Sequence, residues 1–131
     1  MITITLPLPD RKLHPNGGRR WSHNYITRLI RDHRFTGKIS ALVAIANAAS
    51  SSAKAAPPRW KKAVAGATFY FKTKRSTGQD DDNLIGWLKP YRDGIADAGV
   101  VLDDQGMRWI MIAQLVDKDD PRVVIAMEEE T

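Results

Sequence analysis

Val64-Ala65-Gly66-Ala67-Thr68-Phe69-Tyr70-Phe71, a basic loop from Lys72 to Gln79, and then Asp80-Asp81-Asp82-Asn83-Leu84 decide how this chain is read. The first stretch predicts a strand, with Phe69 and Phe71 on one face and Thr68 and Tyr70 on the other. Past the acidic cluster the period changes. Leu84, Leu88, Tyr91, Ile95 and Ala98 recur at helical spacing, so residues 83–98 predict a helix with a buried stripe flanked by Trp87. Pro90 lacks a backbone N–H and crowds the carbonyl of Gly86, which predicts a kink or restart near Lys89-Pro90. Gly99 is the expected stop.

Working outward, Ile2-Thr3-Ile4-Thr5-Leu6 alternates as a strand does and is ended by Pro7 and Pro9. Turn chemistry at Pro15-Asn16-Gly17-Gly18 makes residues 10–21 a loop. Ser22 is placed to cap a helix over residues 24–49. Its apolar face is Ile26, Leu29, Ile30 and Phe35, and Thr36-Gly37 is a point where it can break. Pro57-Pro58 closes the connector that follows. On the other side, Asp103-Asp104-Gln105-Gly106 reads as a turn. Trp109–Ala113 and Val123–Met127 read as strands joined by a polar turn over residues 117–121. The order β-α-β-α-β-β predicts an α+β (mixed α/β) fold. It would be a single domain over residues 1–131, with two layers and helices packed on a sheet of about four strands.

Charge is segregated along the 131 residues. Residues 1–79 hold 15 Lys and Arg against 2 Asp and Glu, whereas residues 80–131 hold 5 against 13. A basic half of this kind suggests a polyanion, most often nucleic acid. Arg11, Lys12, Arg19 and Arg20 in the first loop, and Lys72, Lys74 and Arg75 before the acidic cluster, are the candidate DNA contacts. The chain has no Cys, which fits a reducing cytoplasm and excludes a disulfide framework. Without an apolar run near 18 residues or a signal-peptide pattern, no membrane association is expected.

Five carboxylates, Asp80-Asp81-Asp82 and Asp103-Asp104, stand in two short groups. Packed like charges repel unless a cation joins them, and all-oxygen donors suit Mg²⁺, Mn²⁺ or Ca²⁺. Beside a phosphate, a bound ion also turns a repelling cluster into a cationic centre. An EF-hand fails, because Ile85 and Arg92 fall where ligands belong. No Walker loop or G-x-S-x-G elbow is present, and His14, His23 and His33 lack metal-ligand spacing. The bland alternative is two solvated acidic turns on a DNA-binding protein without catalysis.

At these residues the chain resembles the RusA family of Holliday-junction resolvases. The likeness rests on Ile2-Thr3-Ile4-Thr5-Leu6-Pro7-Leu8-Pro9, on Asp80-x-Asp82-Asn83-Leu84, and on the run from Asp93-Gly94 through Ala98-Gly99 to Asp103-Asp104. It implies a Mg²⁺-dependent (or Mn²⁺-dependent) endonuclease of bacterial or phage origin, a homodimer resolving four-way DNA junctions by paired nicks. It assigns metal binding and catalysis to Asp80, Asp82 and Asp104. The family's lysine, four residues after the second aspartate, is Gly86 here. Lys89, seven residues after Asp82, returns to nearly the same helix face and can take that catalytic place, or it can simply pair with Asp93. A metal-dependent nuclease of flaps or plain duplex is the neighbouring alternative.

Overall fold

The computed structural model describes residues 1–16, 21–49 and 56–131. β1 (Ile2–Leu6) leads to α1 (His23–Ala48), then β2 (Ala63–Phe71), α2 (Asp81–Trp87), α3 (Lys89–Asp97), β3 (Met107–Val116) and β4 (Arg122–Glu129). Short 3-10 turns lie at Arg11–Leu13, Lys74–Ser76 and Asp104–Gly106. The strands form one open sheet in the order β1-β4-β2-β3, and the fold is α+β. β4 runs antiparallel to β1 and β2, whereas β3 lies parallel to β2. A parallel neighbour cannot be reached by a hairpin, so α2 and α3 form the crossover that carries the chain back. The alternation read in β1 and β2 is that of the core. Ile2, Ile4 and Leu6, and Ala63, Ala65, Ala67, Phe69 and Phe71, are buried while their neighbours are not.

The predicted helical stripe is also internal: Leu84, Leu88, Tyr91, Ile95 and Ala98 are all buried, with Trp87. The break falls at Leu88. Pro90 stands in the first turn of α3, where a missing N–H leaves no helical bond unmade. Gly99 stops the helix in the left-handed region at φ 88°. Ser22 caps α1, its hydroxyl accepting from the Tyr25 amide at 3.2 Å.

Two expectations for α1 need correction. The helix passes through Gly37 unbroken, and Phe35 (63% exposed) and Ile30 (39%) face solvent rather than core. The buried side of α1 is Gly37, Ala41, Ala44 and Ile45. Only small residues allow the backbones of α1 and α3 to approach this closely. A Cβ at Gly37 would lie 2.7 Å from the Tyr91 carbonyl oxygen, and one at Gly94 would overlap the Arg34 carbonyl. Among the described residues no helix is long and apolar enough to cross a membrane.

Because both obstacles are backbone, neither can swing aside. Gly94→Ala should destabilise the protein by about 3 kcal/mol or more, and Gly37→Ala by somewhat less, at the upper end of overpacking costs. Urea denaturation followed by circular dichroism measures this, and near-wild-type midpoints would contradict the crossing.

Candidate nucleic-acid interface and carboxylate site

The acidic cluster forms the head of α2. Asp80, with extended backbone (φ −65°, ψ 139°), is the N-cap, so the helix opens two residues earlier than the apolar spacing over residues 83–98 predicts. Asp81 and Asp82 already belong to the first turn, where side chains follow the helical rather than the strand period. All three are exposed. Among the described residues none makes an ion pair, and the Asp80 carboxylate makes no capping hydrogen bond. Their repulsion is eased by hydration and by the partial positive charge of the helix N-terminus.

Asp104 stands elsewhere. Asp103 caps the turn that it opens, accepting the Gln105 amide at 2.8 Å, which is a structural duty. Arg92 fixes the Asp104 main chain, donating through Nε (3.1 Å) and Nη2 (2.7 Å) to its carbonyl oxygen. Lys89 Nζ lies 3.4 Å from Asp93 Oδ1 and 3.9 Å from Asp104 Oδ2, so helix pairing and proximity to the later aspartates coexist. These groups line an open cleft of about 380 Å³ that also holds Arg34 and Asp97. Arg34 forks onto Asp97, with Nε–Oδ2 at 2.5 Å and Nη2–Oδ1 at 2.8 Å. That hydrogen bonding raises the guanidinium pKa and holds the Asp97 carboxyl below its ordinary range. A carboxylate depressed in this way stabilises the fold above its unfolded pKa and loses the effect as pH falls through the folded one.

Asp80 and Asp82 stand at the head of α2, whereas Asp104 follows α3 and lies beside Lys89. Among the described residues no three His, Cys, Asp or Glu side chains are grouped as a ready-made metal cage. The donor chemistry does fit a hard divalent cation, because the cluster offers only carboxylate oxygens and no lysine or arginine occupies Asp80 or Asp82.

The basic residues converge better. Arg11, Lys72 and Arg75, from two loops far apart in sequence, line one cleft of about 790 Å³ with His14, Trp87 and Gln79. Among the described residues no carboxylate pairs with Arg11, Lys72, Lys74 or Arg75. Lys12 is engaged instead, 3.6 Å from Asp10 and 5.4 Å from the Trp21 ring centroid. Arg19 and Arg20 lie outside the described residues.

Gln79, on the wall of this cleft and one residue before Asp80, carries four hydrogen bonds. Its N–H donates to Gln114 Oε1 (3.0 Å) and its carbonyl accepts from Gln114 Nε2 (2.8 Å). Its side chain bonds His14 Nε2 (2.7 Å) and the Ser76 carbonyl (2.7 Å). Sequence reasoning passed over Gln79, Gln114 and Arg34, since a lone glutamine or a helix arginine carries no motif.

No family model matches the chain. An uncharacterized protein of Xylella fastidiosa (strain Temecula1 / ATCC 700964) is 31% identical over 105 residues, covering 80% of this chain. The chain spans 61% of that relative's length.

Replacing Arg11, Lys72 and Arg75 together by Ala should weaken DNA binding and flatten the plot of log affinity against log salt by roughly three units, near one per phosphate contact. Fluorescence anisotropy across a salt series measures the slope, and an unchanged slope would place DNA elsewhere.

Proposed function

We propose that the protein is a metal-dependent endodeoxyribonuclease of the cytoplasm that resolves four-way DNA junctions by paired symmetric nicks. One observation carries the reading: Gln79 lines a cleft with Arg11, Lys72 and Arg75, and the chain passes from it straight to Asp80, Asp81 and Asp82, with no ion pair to any of these six among the described residues. A protein that only bound DNA would gain nothing from free carboxylates beside its phosphate groove. The Asp80-x-Asp82-Asn83-Leu84 and Asp93-to-Asp104 motifs support the same reading.

Asp80 and Asp82, with Asp104 as third donor, would hold Mg²⁺ or Mn²⁺. When bound, such an ion polarises the scissile phosphate and lowers the pKa of an attacking water. Arg11, Lys72 and Arg75 hold the strand by its phosphates, so recognition follows shape more than sequence. Lys89 offsets charge gathering on the phosphoryl oxygens near Asp104. A four-way junction is close to two-fold symmetric, and two matched cuts call for a homodimer.

That no three carboxylates are grouped among the described residues favours a second reading, a DNA-binding protein that does not cut. Incubation with labelled four-way, flap and linear DNA, with and without Mg²⁺, decides between them. Metal-dependent nicks at symmetric positions in the junction support the proposal, cutting of flaps or duplex alone redirects it, and binding without cleavage rejects it.

Asp80→Asn, Asp82→Asn and Asp104→Asn should each abolish cleavage while leaving junction affinity unchanged or higher, as each removes a metal ligand and a charge that repels phosphate. Asp81→Asn should cut nearly as well as wild type. Gel-based cleavage and anisotropy on the same samples test the set.

Lys89→Ala should slow single-turnover cleavage by about 10²–10³-fold with little change in binding. If Lys89 serves only its helix pair with Asp93, a contact of about 0.2–0.5 kcal/mol, then Lys89→Ala and Asp93→Ala will show equal, mild effects.

A further inference from the structure

Gln114 is far from the acidic cluster in sequence and sits on β3, where its Cα is in register with Phe69 of β2. Its side-chain amide nonetheless treats Gln79 as a strand partner would, accepting from the N–H and donating to the C=O of the same residue. An amide is the one side-chain group able to copy both halves of a peptide. The effect is to extend the sheet sideways by one residue, just before the chain turns into α2. Gln79 has no remaining latitude, because its side chain is held by His14 and Ser76 as well. Asp80 follows directly, and its own side chain makes no capping bond that would steady it. The place from which the Asp80 side chain leaves the backbone is therefore set from behind, through the main chain.

We infer that Gln114 is a positioning residue for Asp80: by clamping the Gln79 peptide groups it holds the head of α2 in its ion-binding arrangement. This rests on the metal-dependent reading given above. Outer residues that orient ligands typically change metal affinity by about 10–100-fold when removed.

The test uses the full chain, Mn²⁺ alone as probe, and ¹⁵N-resolved amide spectra. In wild type, Mn²⁺ should broaden the Asp80 and Asp82 amides. In Gln114→Met, similar in length but without either hydrogen-bonding group, the Mn²⁺ concentration at half-broadening should rise at least tenfold. The Gln79 amide should exchange with solvent at least tenfold faster, as it loses its acceptor. Gln79→Ala keeps the main-chain clamp and should shift the Mn²⁺ midpoint much less. An unmoved Mn²⁺ midpoint in Gln114→Met overturns the inference, even if the variant melts earlier, since lower stability alone does not weaken an ion site in the folded fraction. If wild type shows no broadening near Asp80, the metal reading fails and the positioning role fails with it. Faster Gln79 exchange in the variant would then still register the clamp, so the two failures are distinguishable.

Discussion

The backbone-to-backbone crossing of α1 and α3 is the constraint on which the rest of the molecule depends. Gly37 rests on the main chain of Tyr91, and Gly94 on that of Arg34 and Lys38. At that distance the two helices share their neighbours. The Tyr91 hydroxyl reaches the Pro7 carbonyl at 2.9 Å, which ties the end of β1 to α3. His33 of α1 lies against the Tyr91 ring, with centroids 5.5 Å apart. Its Nε2 accepts the Asp10 amide at 2.9 Å, so the ring proton sits on Nδ1, which donates to the Leu29 carbonyl. Asp10 in turn caps the turn bearing Arg11, and its carbonyl accepts from Trp87 Nε1. A wall of the basic cleft is thus fastened to the helix crossing through one imidazole.

The parts legible in the sequence are those with a local period. β1 and β2 alternate, the Leu84-to-Ala98 stripe has helical spacing, and Pro90 marks the restart, because each reflects geometry within a few residues. The apolar residues of α1 misled, since Phe35 is as hydrophobic as a core residue while the face that packs is nearly all glycine and alanine. Which face a helix buries depends on how near its neighbour comes, and no local pattern carries that distance. That the carboxylates offer hard oxygen donors follows from residue type alone. Their placement does not: Asp80 opens α2 and Asp104 follows α3, so where the two meet depends on how the broken crossover packs. The Arg34–Asp97 fork and the Gln79–Gln114 clamp bridge 63 and 35 residues, beyond the reach of any motif.

Every group assigned a chemical role stands outside the core. Among the described residues no polar or charged side chain is fully buried. The carboxylates and the cleft cations keep their hydration, so holding them unpaired costs the fold little. Stability rests with Ile4, Leu6, Phe69, Leu84, Leu88, Tyr91, Ile95 and Ile125, whose burial owes nothing to charge.

The strand order also bears on how the chain is built in time. Among the described residues β1 pairs with β4 and with no other strand, joining Ile2 to Met127 and Leu6 to Val123. During synthesis, residues 2–6 therefore have no strand partner until residues 122–129 have left the ribosome. α1 is the surface against which β1 can wait, so the helix doubles as a holding platform for three apolar side chains. Closing this longest of loops adds little to the entropy cost, which grows only with the logarithm of length, but it makes sheet completion a late event. The β4 edge left open until then is where a nascent chain would meet another copy of itself.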